Sequence, residues 1–381
     1  MSFFDVISAL DWAGLKHRLD ACTAADVERA LTRERLEEGD MLALFSHAAL
    51  PHLERIAQRG AALTERRFGK VMQLYAPLYL SNYCVNRCVY CGFARTLEVE
   101  RVRLTPAQAL AEAEILYHEG FRHILLVSGE SRRHVPLDYL AEIATALHGK
   151  FASVSVEIFP LRAEEYARLA ECGVDGLTIF QETYDPELYK SYHPAGPKRD
   201  YQNRLEAIER GGAAGMRSLG LGTLLGLNDW RVEATVLALH ARYLMKKFWQ
   251  ARVSINFPRI REAAAHFRPP FPVGDRDLVQ MICAMRLILP DAELVLSTRE
   301  PAALRDRLVR LGITRVSAGS RTNPGGYSHP DSTQGEQFAV SDPRAPEDVV
   351  RMLHGHGFEP VWKDFDRQFI APAPERDRAA R

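Results

Sequence analysis

The chain has 381 residues, 46% of them hydrophobic and 26% charged, enough for one large domain or two small ones with a full core. Its 49 Lys and Arg balance 49 Asp and Glu, a formal charge of zero; this argues against a general nucleic-acid or anionic-membrane binder, since both want a basic excess. No apolar run approaches the ~18 residues of a membrane span, the N-terminal stretch lacks the basic n-region of a signal peptide, and a cytoplasmic location is expected.

Residues 1–70 read as helices without strand alternation, with Thr23 as the cap of a helix over 24–36. Extended apolar segments then recur at 72–80, 123–128, 151–159, 175–180, 218–225, 252–257, 292–296 and 314–317. Helical patterns separate them. The first covers 106–119, with Thr105 as N-cap and Pro106 in the first helical position. The others cover 137–147, 163–171, 201–214, 231–248 behind the cap Asp229, 275–289 and 301–311. Strands alternating with helices imply parallel pairing through right-handed crossovers. Eight such strands over 71–321 predict an α/β fold, a closed (β/α)8 barrel of the TIM type, whose typical length is about 250 residues. A partial barrel with six core strands is the alternative. Residues 322–381 are expected to form a small C-terminal cap: a Gly/Pro/Ser-rich stretch over 322–335, then 337–340, a helix over 346–356 and a short extended piece over 360–363. The last ten residues, rich in Ala, Pro, Arg and Asp, are expected to fray.

In such a barrel, chemistry sits at the C-terminal ends of the strands. Here those ends carry Cys84, Cys88 and Cys91, then Glu130, Glu157, Gln181 and Glu182, Gly226, Arg259, Ser297 and Arg299, and Ser317, Ser320 and Arg321. Three of the six cysteines fall in one C-x3-C-x2-C loop behind the first strand. Cys22, Cys172 and Cys283 stand alone and read as small buried hydrophobes. Three thiolates without a fourth suit neither a structural zinc site nor an ordinary electron-transfer [4Fe–4S] centre, which both want four ligands. They leave one position open. His193 reads as a loop-ordering residue, and Arg259 as either a substrate contact or a salt bridge at the barrel rim.

The cysteine loop, with Tyr90 before its last cysteine, resembles that of the radical S-adenosylmethionine (SAM) family. LYLSNYCVNRCVYCGF (78–93), LLVSGE (125–130), VEIFPL (156–161), QETYDPELYKSYHPAGPK (181–198), GLGTLLGLNDWR (220–231) and SAGSRTNPGGY (317–327) extend the resemblance through most of the chain. They are similar to the aromatic amino-acid lyase branch, and within it to the tyrosine lyases that make 2-iminoacetate for the thiazole of thiamine. The resemblance implies a [4Fe–4S] cluster on Cys84, Cys88 and Cys91 whose open iron chelates SAM. Tyr90, Ser128, Gly129, Glu130, Glu157, Leu224 and Gly226 would bind SAM, with Ser128-Gly129 as a strand edge and Glu157 on the ribose. Gln181, Glu182, Arg259, Ser317, Ser320 and Arg321 would bind substrate, Arg321 forking onto its carboxylate.

The chemistry implied begins with one electron from an external reductant of flavodoxin or ferredoxin type. SAM is cleaved to methionine and a 5′-deoxyadenosyl radical, which takes hydrogen from the amino group of L-tyrosine. The Cα–Cβ bond then breaks to 2-iminoacetate (dehydroglycine) and a species that ends as p-cresol. Thiazole synthase is the partner suggested for the unstable imine. The alternatives are a tryptophan lyase, the tyrosine lyase of hydrogenase maturation, and a non-catalytic iron–sulfur or zinc protein. No cysteine follows Cys283 in this sequence, which sets it apart from the maturation lyase with its second cluster. The zinc reading requires a fourth cysteine or histidine ligand.

Overall fold

From residue 71 onward, strand and helix alternate as the hydrophobic pattern requires. The strands are β1 (Val71–Ser81), β2 (His123–Ser128), β3 (Ser153–Glu157), β4 (Gly176–Glu182), β5 (Ser218–Thr223), β6 (Arg252–Asn256), β7 (Glu293–Leu296) and β8 (Arg315–Ser317). In this computed structural model, which describes residues 2–263 and 265–363, each strand pairs in parallel with the next. β1 pairs with both β8 and β2, so the barrel is closed with eight strands rather than six. The fraying expected for residues 372–381 lies outside the described residues.

Strand alternation sorts the side chains into two sets. Leu74, Leu78, Ile124, Leu126, Val154, Val156, Leu294 and Val316 join the main core with the surrounding helices. Tyr75, Tyr79, Leu125, Val127 and Val295 belong to a separate cluster inside the barrel, packed against Phe93, Cys84 and Cys91. Lower in the barrel the interior is polar: Glu293 takes Arg252 at 3.2 Å and Arg315 at 3.8 Å. The active end of the barrel therefore rests on a filled floor.

Helix termini follow the sequence signals. The Thr105 side chain caps Pro106–His118 in a capping box with Gln108, Thr23 caps Ala24–Thr32 with Asp26, and Asp229 caps Trp230–Lys247. The helix expected over 24–36 stops at Thr32, and the Arg59 guanidinium binds the carbonyls of Ala30 and Arg33 there. The helix expected over 201–214 is two helices, Tyr201–Leu205 and Ala207–Ala213, meeting at Glu206. A helix not foreseen, Pro186–Tyr192, follows β4.

The flanks are integral to the barrel. The helix Leu53–Phe68 packs on Asp275–Ile288, where a Cβ at Gly60 would lie 3.4 Å from the Cys283 carbonyl. The C-terminal segment joins the barrel sheet: its β9 (Glu359–Val361) pairs in parallel with Val71, Met72 and Gln73 at the start of β1. Cys283 is buried, whereas Cys22 and Cys172 are only half-buried, and all six cysteines are free. Among the described residues no helix is long and apolar enough to cross a membrane.

Candidate active site at the C-terminal end of the barrel

The cysteine loop leaves β1 under tight control. Gly129 donates its N–H to Ser81 at 2.9 Å, and a Cβ on Gly129 would lie 2.5 Å from the Tyr83 carbonyl and 3.2 Å from the Cys84 Cβ. Any side chain there would push the loop off β2. The Tyr83 ring stacks on His134 at 3.8 Å. Arg101 donates to the carbonyls of Asn82, Phe93 and Ala94 at 2.8, 2.9 and 2.6 Å, tying the loop's two ends together. Asn86 sits inside: its amide donates to Glu130 at 2.6 Å and accepts from the Lys198 N–H at 2.9 Å.

Cys84, Cys88 and Cys91 line one cavity with Ser128, Gly129, Glu130, Glu157, Glu182, Lys198, Arg204 and Gln337. A neighbouring compartment is lined by Tyr90, Cys91, Glu157, Glu182, Lys198, Leu224, Arg299, Gln337 and Phe338. A third runs into the barrel past Tyr75, Tyr79, Phe180, Asn256, Arg299, Ser317 and Ser320. Glu157 and Gln337 line all three, so the three compartments adjoin one another between the thiols and the barrel interior.

Electrostatics distinguish the groups around it. Burial raises the Glu157 carboxyl to about 7, against the pull of Arg299. Glu182 is buried too, yet Lys198 at 2.6 Å and Arg204 at 3.3 Å hold it below the usual carboxylate range. Glu182 lies at a shift of register between β4 and β5 and has φ 70°, the left-handed region, a costly place for a non-glycine residue. His193 takes the Tyr90 hydroxyl at 2.7 Å on Nε2 and the Tyr189 carbonyl at 2.7 Å on Nδ1. Burial lowers it to about 3, so it is a neutral imidazole that orders the loop around Tyr90.

The donor set fits an iron–sulfur cluster with an organic cofactor. Burial holds the Cys88 thiol up to about 12, so the thiolate forms only with a metal to hold it. Among the described residues no three His, Cys, Asp or Glu converge on one point as ligands of a single ion; cluster thiolates each take a separate iron and need no such point. The thiol compartment contains neither a histidine nor a fourth cysteine, as the zinc reading would require. Ser128 and Ser320 line this space with hydroxyls that have no protein partner, which suits a polar ligand.

Several expected contacts are placed elsewhere. Arg259 is buried away from the cavity lining. Its guanidinium is held by Glu300 at 2.9 Å, Asp275 at 2.8 Å and the Val273 carbonyl at 3.1 Å, the salt bridge at the rim. Arg321 does not line the space either and lies in the field of Glu119 and Glu336. Gln181 is buried outside the lining. Gly226, at φ 118°, forms a turn where a Cβ would meet Pro269 at 2.8 Å. Ser317 lines the barrel compartment, and its carbonyl accepts from Arg305.

Arg299, unlike Arg321, is among the residues lining this space. It faces the cavity, lies over the Phe338 ring at 3.3 Å, and its guanidinium has no hydrogen-bond acceptor among the described residues. Its position after β7 was visible in the strand-end pattern. Gln337 was not: it comes from the C-terminal segment, far away in sequence. Its carbonyl accepts from Gly92 at 3.1 Å, its side-chain oxygen from the Tyr79 hydroxyl at 2.8 Å, and its amide lies 4.0 Å from the Cys91 Sγ. A Cβ at Gly92 would lie 2.6 Å from the carbonyls of Glu336 and Gln337, so glycine lets this segment cross the cysteine loop.

Two family models match the chain: the radical SAM superfamily over residues 78–239, and the Biotin and Thiamin Synthesis associated domain over residues 256–359. A 2-iminoacetate synthase of Escherichia coli strain K12 is 44% identical over 378 residues, covering 98% of this chain and 99% of the relative. A 2-iminoacetate synthase of Salmonella typhimurium is 43% identical, covering 96% and 97%. The crystal structure of HydG, a maturase of the [FeFe]-hydrogenase, superposes with a TM-score of 0.86 at 30% identity, covering 95% of this chain and 84% of that one.

Proposed function

The chain belongs to the radical SAM superfamily and, within it, to the 2-iminoacetate synthases, and from that premise we propose that it cleaves the Cα–Cβ bond of L-tyrosine. The products are 2-iminoacetate and p-cresol, formed as SAM is split to 5′-deoxyadenosine and methionine. The observation that carries this reading is the set of adjoining compartments, sharing Glu157 and Gln337, that lie between three free thiols and a barrel pocket lined by Arg299.

Cys84, Cys88 and Cys91 hold the [4Fe–4S] cluster. When bound, the cluster and SAM supply the electron and the hydrogen-abstracting 5′-deoxyadenosyl radical. The edge at Ser128 and Gly129 lets the cofactor approach β2 closely. Glu157 and Leu224 line the compartments beside the cysteines; Glu157 would accept hydrogen bonds from the cofactor's hydroxyls, and Leu224 would offer an apolar surface to its base. Arg299 takes the tyrosine carboxylate in a bidentate fork, a role its unpartnered guanidinium suits. Ser320 offers a hydroxyl to the same substrate. Lys198 and Arg204 keep Glu182 ionised, so a fixed negative charge stands beside the cluster compartment. Phe338 and Gln337 close the space over the barrel mouth and exclude water, which protects radical chemistry from side reactions.

The reductant is a one-electron carrier of flavodoxin or ferredoxin type. The location is the cytoplasm, where thiols stay reduced. The imine passes to a thiazole synthase that builds the thiazole of thiamine. The test is anaerobic cluster reconstitution, reduction, and addition of SAM and L-tyrosine. The expected products are 5′-deoxyadenosine and p-cresol. Absence of 5′-deoxyadenosine overturns the radical SAM reading, and its formation without p-cresol rejects the substrate.

A further inference from the structure

Resting on the reading that Cys84, Cys88 and Cys91 carry a reducible cluster, we propose that the outer face of the cysteine loop is the docking surface for an acidic one-electron carrier protein. The loop alternates like a strand: Val85, Arg87 and Val89 are exposed, while Asn86 and Cys88 between them are buried. Cys88 thus lies one residue beneath the surface. Electron transfer weakens steeply with distance, and a carrier seated on this face has a short path to the cluster through Cys88.

The face is unusual in two respects. Val85 and Val89, 38% and 36% exposed, are two of the six large apolar side chains exposed among the described residues. Arginines ring them. The Arg87 N–H is bound by the Ala195 carbonyl, the Arg95 N–H by the Asn86 carbonyl, and the Arg199 guanidinium by the Pro194 carbonyl, at 3.0, 2.8 and 3.0 Å. Arg133 follows three residues after Glu130, whose carbonyl takes the Val85 N–H at 2.9 Å. These four side chains are exposed, and none forms an ion pair among the described residues. The exposed acidic neighbours in sequence include Asp200, next to Arg199, whose carboxylate accepts from the Asn203 N–H at 2.9 Å, and Glu98, on the stretch after Arg95. In a chain of zero formal charge, a local basic excess around a small apolar centre sits where electrons must enter. Electron-transfer contacts are small and transient, with a modest apolar centre and charge steering.

The experiment uses the full-length holoenzyme and follows loss of cluster absorbance by anaerobic stopped flow. Two reductants are compared: a flavodoxin hydroquinone of net negative charge, and dithionite. In the parent, the flavodoxin rate should fall with added salt. In the triple variant R87E/R95E/R199E it should fall about tenfold or more, while the dithionite rate stays within about twofold. A control reversal at the far end of the barrel, R35E/R66E/R67E, should leave both rates unchanged. An unaltered flavodoxin rate in R87E/R95E/R199E, or an equal loss in the control, overturns the proposal. If charge reversal prevents cluster assembly, R87Q/R95Q/R199Q is read by the same criterion. Failure of the dithionite-reduced parent to form 5′-deoxyadenosine from SAM would count against the enzyme reading instead, and is scored separately from the bleaching rates.

Discussion

Two arginines at opposite ends of the barrel show how one residue type can serve structure or chemistry. Arg286, at the end of the helix Asp275–Ile288, is fully buried near the barrel floor. It donates to the carbonyls of Gly312, Pro290 and Ala292 at 2.8, 3.1 and 2.7 Å, so its donors are matched by the backbone of the loops that enter β7 and β8. Arg299, beyond the other end of β7, has an aromatic ring beneath it and no acceptor among the described residues. Burial lowers the basicity of both. A buried cation with satisfied donors stabilises a loop, whereas one facing an empty cavity is placed for an anion that arrives later.

The sharpest way to break that contrast begins with the thiols. Cys88→Ala should abolish the visible absorbance of the reconstituted cluster, and Cys172→Ala should retain it; a cluster in Cys88→Ala would remove the chemical end of the comparison. Next, Arg299→Ala should lower kcat/KM for tyrosine about 100-fold, as losing one half of a buried charge pair does, with the melting temperature close to the parent's. Arg321→Ala should change kcat/KM far less, and the reverse order would restore Arg321 as the carboxylate ligand. Arg286→Leu should act oppositely, costing about 3 kcal/mol of stability by orphaning buried carbonyls. That cost is read from denaturant melts.

The smallest effect is a pH dependence. Glu157 has a folded pKa of about 7, raised by burial above its ordinary 4.5. The stability tied to its protonation is present below about 4.5 and is lost as pH rises through about 7. Glu157→Gln removes the ionisation, so its melting temperature relative to the parent should rise between pH 5 and pH 8. A difference that stays flat with pH would mean that Glu157 is ionised and solvated throughout.

Much of this was legible before any coordinates. The run 71–81 is apolar apart from Gln73 and Ser81, because its two faces meet helices and an aromatic interior. In 153–157, Val154 and Val156 enter the outer core and Glu157 faces the cavity, a period-2 pattern that a single strand displays. The capping signals at Thr23, Thr105 and Asp229 are local and appear in the structure as read. The break at Glu206, by contrast, lay inside a helical pattern. The early stop at Thr32 accompanies contacts from Arg59, which no local window contains.

The sequence by itself determined the alternation of strand and helix, the three thiols on one loop, and the acidic residues at the ends of β2, β3 and β4, because these depend on neighbours along the chain. Tertiary structure decided which polar groups share a space. Arg259, Arg299 and Arg321 stand in similar strand-end contexts. Glu300 and Asp275 neutralise the first, the third lies outside the cavity near Glu119, and the second faces the cavity with no acceptor among the described residues. Gln337 enters the site because β9 returns the chain to β1 and the preceding segment crosses the barrel mouth. Partner assignment depends on distances between residues remote in sequence, and burial makes each such choice consequential, since a low-dielectric interior amplifies the difference between a matched and an unmatched charge.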